Sequence, residues 1–247
     1  MASALLGGCG SATSTTLTRA AATQTATTVG TGAPTTTATR STDPSPATTI
    51  PAGVVAISAG RPITRTAFDH WMHVVAKSDA AQTPGVAVIT PTDPPLFNDC
   101  IAQARRQIPT LAKSPTPVLR ADCRQLFRSL SPQVMGYLIK AYWYEAEAAK
   151  LGITPAAAQV QRAFETQRRR QFPTASGFQK FLSQTGQTQA DILFRFRISL
   201  TVTRLEARET GTQAARIKAV DQLVTNDYRA TTLCTPTVMM ADCGQSA

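Results

Sequence analysis

Five cysteines carry most of the chemistry this sequence could perform. Cys9 stands alone near the N-terminus, and the other four fall as Cys100 with Cys123 and Cys234 with Cys243. An odd count in an exported chain means disulfide pairs plus one cysteine with another task. The intracellular alternative, free thiols or a metal centre, would call for C-x-x-C or Cys/His clusters at ligand spacing, and the sequence has neither. The pattern therefore points to an oxidising compartment. Joining Cys100 to Cys123 closes a loop of about 24 residues, worth roughly 3 kcal/mol through the denatured state. Other pairings stay open on spacing alone.

His70 and His73 lie three apart on one prospective helix, with Asp69 beside them. Two imidazoles without further ligands read as ordinary helix histidines, and no metal or other cofactor is expected. Arg168, Arg169 and Arg170, with Arg162 nearby, gather at a helix C-terminus, where the dipole favours cations. No aromatics are interleaved with that patch and no reader motif accompanies it, so nucleic acid is not an expected partner. The sequence holds no G-x-S-x-G, no H-E-x-x-H and no phosphate-binding glycine loop after a strand. Hydrolase and transferase chemistry is left without a site, and no catalytic residue is assigned.

The elements that must position these residues emerge from an uneven composition. The 247 residues carry a net charge of +10, with 25 Lys and Arg against 15 Asp and Glu. That balance favours anionic surfaces such as lipid headgroups, wall polymers, nucleic acid or acidic clients. Residues 10–50 are Thr, Ala, Ser, Gly and Pro with almost no large apolar side chains. Such a stretch cannot bury enough surface to offset chain entropy, so it reads as a disordered tether. Its reach is on the order of 35 Å. No run of eighteen or more apolar residues follows, so no bilayer-spanning helix is expected.

From Val54 the texture changes. Gly53–Ser58 is a β-prone run and Ala59–Ile63 reads as a turn. Thr64 or Thr66 caps a helix with Phe68, Trp71, Met72 and Val75 on one stripe. Residues 77–117 are loop-rich apart from a short helix, Leu96–Gln107, carrying Cys100. Ser131-Pro132 opens a helix through Val134, Leu138, Ile139, Tyr142 and Trp143, and Gly152 suits the left-handed position at its end. Thr154 and Pro155 start the next helix as cap and first residue, and Phe172-Pro173 stops it. Thr174 opens a shorter helix with Phe178 and Phe181, closed by Gly186. Thr188 and Asp191 form a capping box for a last helix to about Arg208. There, Phe194, Phe196, Ile198 and Leu200 alternate as in a strand, but the cap and the length decide for helix.

Two resemblances extend this reading. Leu6-Gly7-Gly8-Cys9 resembles the lipobox of bacterial lipoproteins, an apolar residue and two small ones before the modified cysteine. The resemblance implies that Cys9 is lipidated, that residues 1–8 are a residual signal segment, and that the chain sits extracytoplasmically on the outer face of a membrane. Residues 1–8 lack the positive n-region and longer apolar stretch of a full secretory signal, which a start further upstream would supply.

The second resemblance lies in Val54–Phe68, which reads VVAISAGRPITRTAF and is similar to the opening of the SurA and PrsA foldases. Tyr144–Thr154, YEAEAAKLGIT, resembles a helix end of that family. Phe178-Gln179-Lys180-Phe181-Leu182 and Gly186 match its next elements in order. The likeness covers roughly residues 54–209, with an insertion at about 77–118.

It implies a mostly α, SurA N-terminal-like domain over residues 52–247, with a short strand at its start, after a lipidated linker over residues 9–51. It also implies a chaperone that holds unfolded exported polypeptides without ATP. Many members add a parvulin prolyl isomerase domain after this point. Only 38 residues follow Glu209, against the roughly 90 or more that such a domain normally occupies, in line with ordinary domain sizes, and no histidine follows His73. Phe68, Trp71, Met72, Tyr137, Tyr142, Trp143, Phe178 and Phe181 are the candidates for touching clients, since soft and flat side chains adapt to many partners. Most of them must also supply the core. The competing readings are a prolyl isomerase with a degenerate site and a non-catalytic lipoprotein that binds the cell envelope.

Overall fold

In the computed structural model, residues 49–81 and 85–246 are described. The expected signal segment, Cys9 and the expected tether up to residue 48 lie outside the described residues. The described chain opens with a hairpin of β1 (Val54–Ser58) and β2 (Arg61–Thr64). Its two-residue turn, Ala59-Gly60, has both φ angles positive, at 48° and 73°, the geometry that matches strand twist in tight hairpins. The turn is thus shorter than the expected 59–63, and Pro62 and Ile63 pair with Ile57 and Ala56. Pro62 is tolerated because β2 is an edge strand that need not donate outward.

Thr64 caps α1 (Arg65–Ala81), its Oγ1 accepting from the N–H of Ala67 at 3.1 Å. Phe68, Trp71, Met72, Val74 and Ala76 are buried, whereas Val75 is only half-buried. After residues 86–92, which form neither helix nor strand, comes α2 (Asn98–Gln107), which Cys100 ties to α3 (Thr116–Lys150) through Cys123, with Cα atoms 6.1 Å apart. α3 is one continuous helix, so Ser131-Pro132 lies inside it rather than at its start. Pro117 sits in the first turn, where its missing N–H is not needed. Around the exposed Pro132, burial of Phe127, Leu130, Val134, Met135 and Leu138 carries the helix through. Gly152 follows with φ 68°, as its place after a helix requires.

α4 (Ala157–Gln171) begins two residues later than Thr154-Pro155 suggested. Gln159, not Thr154, supplies the cap, its Oε1 accepting from the Ala156 N–H at 2.9 Å. α5 (Ala175–Thr185) and α6 (Gln189–Glu206) start as read, Thr174 accepting from Gly177 and Thr188 exchanging bonds with Asp191. The residues after Glu209 form α7 (Gln213–Tyr228), then β3 (Leu233–Cys234) and β4 (Gln245–Ser246). Sheet order is β2-β1-β3-β4, with β3 antiparallel to β1 and parallel to β4.

α3 is the axis of the molecule, packed by α1, α2, α6, α7 and the hairpin. α7 is fastened to it by polar groups. Lys140 pairs with Asp221 at 2.7 Å, and the buried Glu147 carboxylate accepts from Tyr228 Oη and Lys150 Nζ, each at 3.1 Å. A carboxylate only 2% exposed needs such donors, since an unpaired buried charge is costly. Among the described residues no helix is long and apolar enough to cross a membrane.

Candidate functional site

The principal core takes most of the large apolar side chains, but one aromatic group stands apart from it, where α4, α5 and α6 meet. Phe164 of α4 packs edge-on to Phe196 of α6, with ring centroids 6.0 Å apart, and at 5.8 Å from Phe178 of α5. Phe172, in the turn after α4, lies 5.0 Å from Phe181 and 5.5 Å from Phe178. Phe164 and Phe178 are buried, at 1% and 5% exposure, whereas Phe172, Phe181, Phe196 and the adjoining Leu182 are only half-covered. The local sequence explains the placement. Phe178 and Phe181 are three apart on a helix aligned by its Thr174 cap, and Pro173 forces the chain to turn with Phe172 facing back onto them.

α6 adds further partly buried apolar groups. Only Ile198, Thr201 and Leu205 of this helix are buried. Ile192, Leu193, Phe196, Leu200 and Val202 are partly buried, and Phe194 packs against the principal core, so apolar groups occur on every side of it. A contiguous, partly wet set of phenyl rings can hold extended apolar side chains by area burial without directional demands.

The candidates named from sequence separate by burial. Phe68, Met72 and Trp143 are 0% exposed and Trp71 is 6% exposed. They form the principal core and offer no surface in this conformation, because the helix faces that carry them are the faces that bury α1 and α3. Trp143 is further held by its Nε1–H donating to Thr232 Oγ1 at 2.9 Å. Tyr137 and Tyr142 are half-buried at the core's margin, away from the phenylalanine cluster. Phe178 and Phe181 belong to that cluster. In the sequence Phe172 marks a helix stop and Phe196 a periodicity, and what groups them with Phe164 is the packing of α6 against α4.

Cys234 joins Cys243, with Cα atoms 5.8 Å apart, and both disulfides are buried. His70 and His73 turn to different partners, His70 Nε2 lying 2.9 Å from Asp191 Oδ2 and His73 Nδ1 lying 3.2 Å from Thr90 Oγ1. Burial and the nearby Lys77 charge push the His73 imidazole below its ordinary value. Among the described residues no cluster of three or more His, Cys, Asp or Glu side chains could hold a metal ion. The basic residues of α4 border a shallow recess of about 470 Å³ lined by Gln161, Arg162, Glu165, Thr166 and Arg169. Arg168 is partly neutralised there by Glu165 at 2.9 Å.

The chain matches no family model, and no curated protein or solved structure is significantly similar to it.

Proposed function

We propose that this protein is an extracytoplasmic chaperone of the SurA/PrsA type, anchored to the membrane through a lipid on Cys9, that holds unfolded exported polypeptides without ATP. The half-open phenylalanine cluster of α4, α5 and α6 carries the reading. It is apolar, it is built from rings that tolerate many shapes, and it lies outside the principal core. Two disulfides are in keeping with an oxidising compartment. Holding and release by simple dissociation suit contacts of micromolar order.

The test is suppression of aggregation of a chemically unfolded exported protein by the full chain with its disulfides formed. Protection near stoichiometric ratio is expected. Replacing the half-buried rings, F172S with F181S, should remove more than half of it while costing only about 1–2 kcal/mol of stability. Phe164→Ala, at the buried centre of the cluster, should by contrast cost about 3–5 kcal/mol. No protection at several-fold excess, or full protection by F172S/F181S, would sink the proposal.

A further inference from the structure

On the other side of α6 from Phe196, guanidinium groups lie over a cluster of three touching rings, Trp71, Tyr137 and Phe194, and over the Tyr142 ring, which is linked to it through arginines that share the Glu145 carboxylate. Arg61 of β2 lies over the Tyr142 ring with its Cζ 3.9 Å from the centroid, and it pairs with Glu145. Arg197 of α6 pairs with the same carboxylate and lies 5.3 Å over the Phe194 ring. Phe194 packs against Trp71 at 6.1 Å and Tyr137 at 5.9 Å, and Arg195 lies 5.1 Å over Trp71. Three cations from β2 and α6 are thus laid on rings from α1, α3 and α6. A guanidinium whose face rests on a ring is held in place. Arg61 and Arg197 each give one nitrogen to Glu145, which leaves their remaining N–H groups, and the edge of Arg195, for a planar acceptor.

The charge that faces solvent here is positive. Arg61 and Arg197 keep 47% and 44% of their side chains exposed, and Arg195 is exposed as well. The neighbouring acids are recessed: the Glu145 side chain is 13% exposed and shared by two arginines, and that of Asp191 is 12% exposed and taken up by Thr188 and His70.

We propose that this arginine-capped row is a docking surface for an acidic segment of a partner polypeptide, one bearing several Asp or Glu residues in extended chain. Carboxylates match the fork of a fixed guanidinium in charge and plane. Nucleic acid fits less well, because base stacking needs open ring faces and these are covered by the arginines or buried. A lipid surface fits less well too, because Val86, Leu96, Val118, Ile217 and Met239, the exposed large apolar side chains among the described residues, belong to other segments and give this row nothing to insert. The surface is distinct from the phenylalanine cluster, since Phe194 and Phe196 point about 160° apart around α6, so either assignment can fail alone.

The experiment titrates the full chain with a hexaglutamate peptide, followed by intrinsic tryptophan fluorescence. Trp71 lies directly under Arg195, whereas Trp143 is enclosed. Binding should change the emission, weaken with added salt, and fall about tenfold in R61Q/R195Q/R197Q. The control R168Q/R169Q/R170Q removes the same charge from α4 and should bind as the wild type does. Circular dichroism checks that the triple variant is folded. If it is not, R195Q alone, which removes a cation with no ion pair among the described residues, should still weaken binding two- to threefold. Equal loss in both triple variants would reduce the effect to general charge attraction and overturn the site. Tighter binding of an oligonucleotide or of anionic vesicles at the same arginines would overturn the polypeptide assignment.

Discussion

At the scale of single residues, the charged groups of α1 show how position overrides residue type. Asp69 sits one turn after Arg65, an ordinary helix pairing, yet the two approach only to 3.9 Å, and neither Arg65 Nη1 nor Asp69 Oδ1 makes a hydrogen bond. Burial raises the Asp69 carboxyl from 3.8 to about 6, Arg65 opposing the rise and Asp93 adding to it. An acid whose pKa is raised by folding binds its proton more tightly in the folded chain. Stability is therefore lost as pH climbs through the window from 3.8 to about 6 and stays reduced above it. Asp69→Asn, which keeps the shape and removes the charge, should raise the melting temperature at pH 7.5. The gain should shrink steadily as pH is lowered from 6 toward 4. His73 works in the opposite sense, its depressed pKa costing stability as pH falls, but it is common to both proteins and cancels in the comparison. A difference between the two melting curves that does not vary with pH would refute the assignment.

At the scale of elements, the legible parts were those written in local chemistry. Thr64, Thr174 and Thr188 each cap the helix they precede, and Phe68, Trp71 and Met72 face the core because helical periodicity leaves them no other side. The start of α3 was not legible, because a proline ordinarily opens or breaks a helix and only tertiary burial shows that this one does neither. Likewise, the phenylalanine cluster depends on which helices meet, which no local pattern states. Pro132 leaves the Arg128 carbonyl without its helical donor, while Gln133 Nε2 reaches back to Ser129 O at 2.9 Å. Because Pro132 is exposed and its flanks are held by buried neighbours, Pro132→Ala should restore the missing bond without disturbing the core. We expect it to stabilise the protein by about 1–2 kcal/mol in urea unfolding, part of the ~3 kcal/mol that an interior proline costs. A destabilised variant would mean that the packing of α3 depends on the proline's own geometry.

At the scale of the whole molecule, the fold is closed by its last residues. β3 pairs Leu233 and Cys234 with Ile57 and Ala56 of β1, and Thr235 N–H donates to Val55 O at 2.9 Å. Contacts between segments so far apart in sequence cost loop-closure entropy, and a short two-residue strand cannot repay that alone. Two devices hold it. One is the Cys234–Cys243 disulfide, which closes a ring of about 10 residues and is worth roughly 2–3 kcal/mol. The other is Gly244, whose N–H donates to Thr232 O at 3.0 Å while its Cα comes so close to the chain that an added Cβ would lie 2.1 Å from Arg229 O. No side chain fits there, and the obstacle is backbone. Gly244→Ala should therefore lift the tail from the helix end, loosening Thr232 and with it the Trp143 indole bond. Melting followed by near-ultraviolet circular dichroism should show a loss of about 2 kcal/mol or more for Gly244→Ala and a similar loss for C234S/C243S. Since both changes release the same segment, the combined variant should lose clearly less than the sum. Strict additivity would show that the disulfide and the glycine act on separate parts of the structure, and that the C-terminal stretch does not close the sheet as one unit.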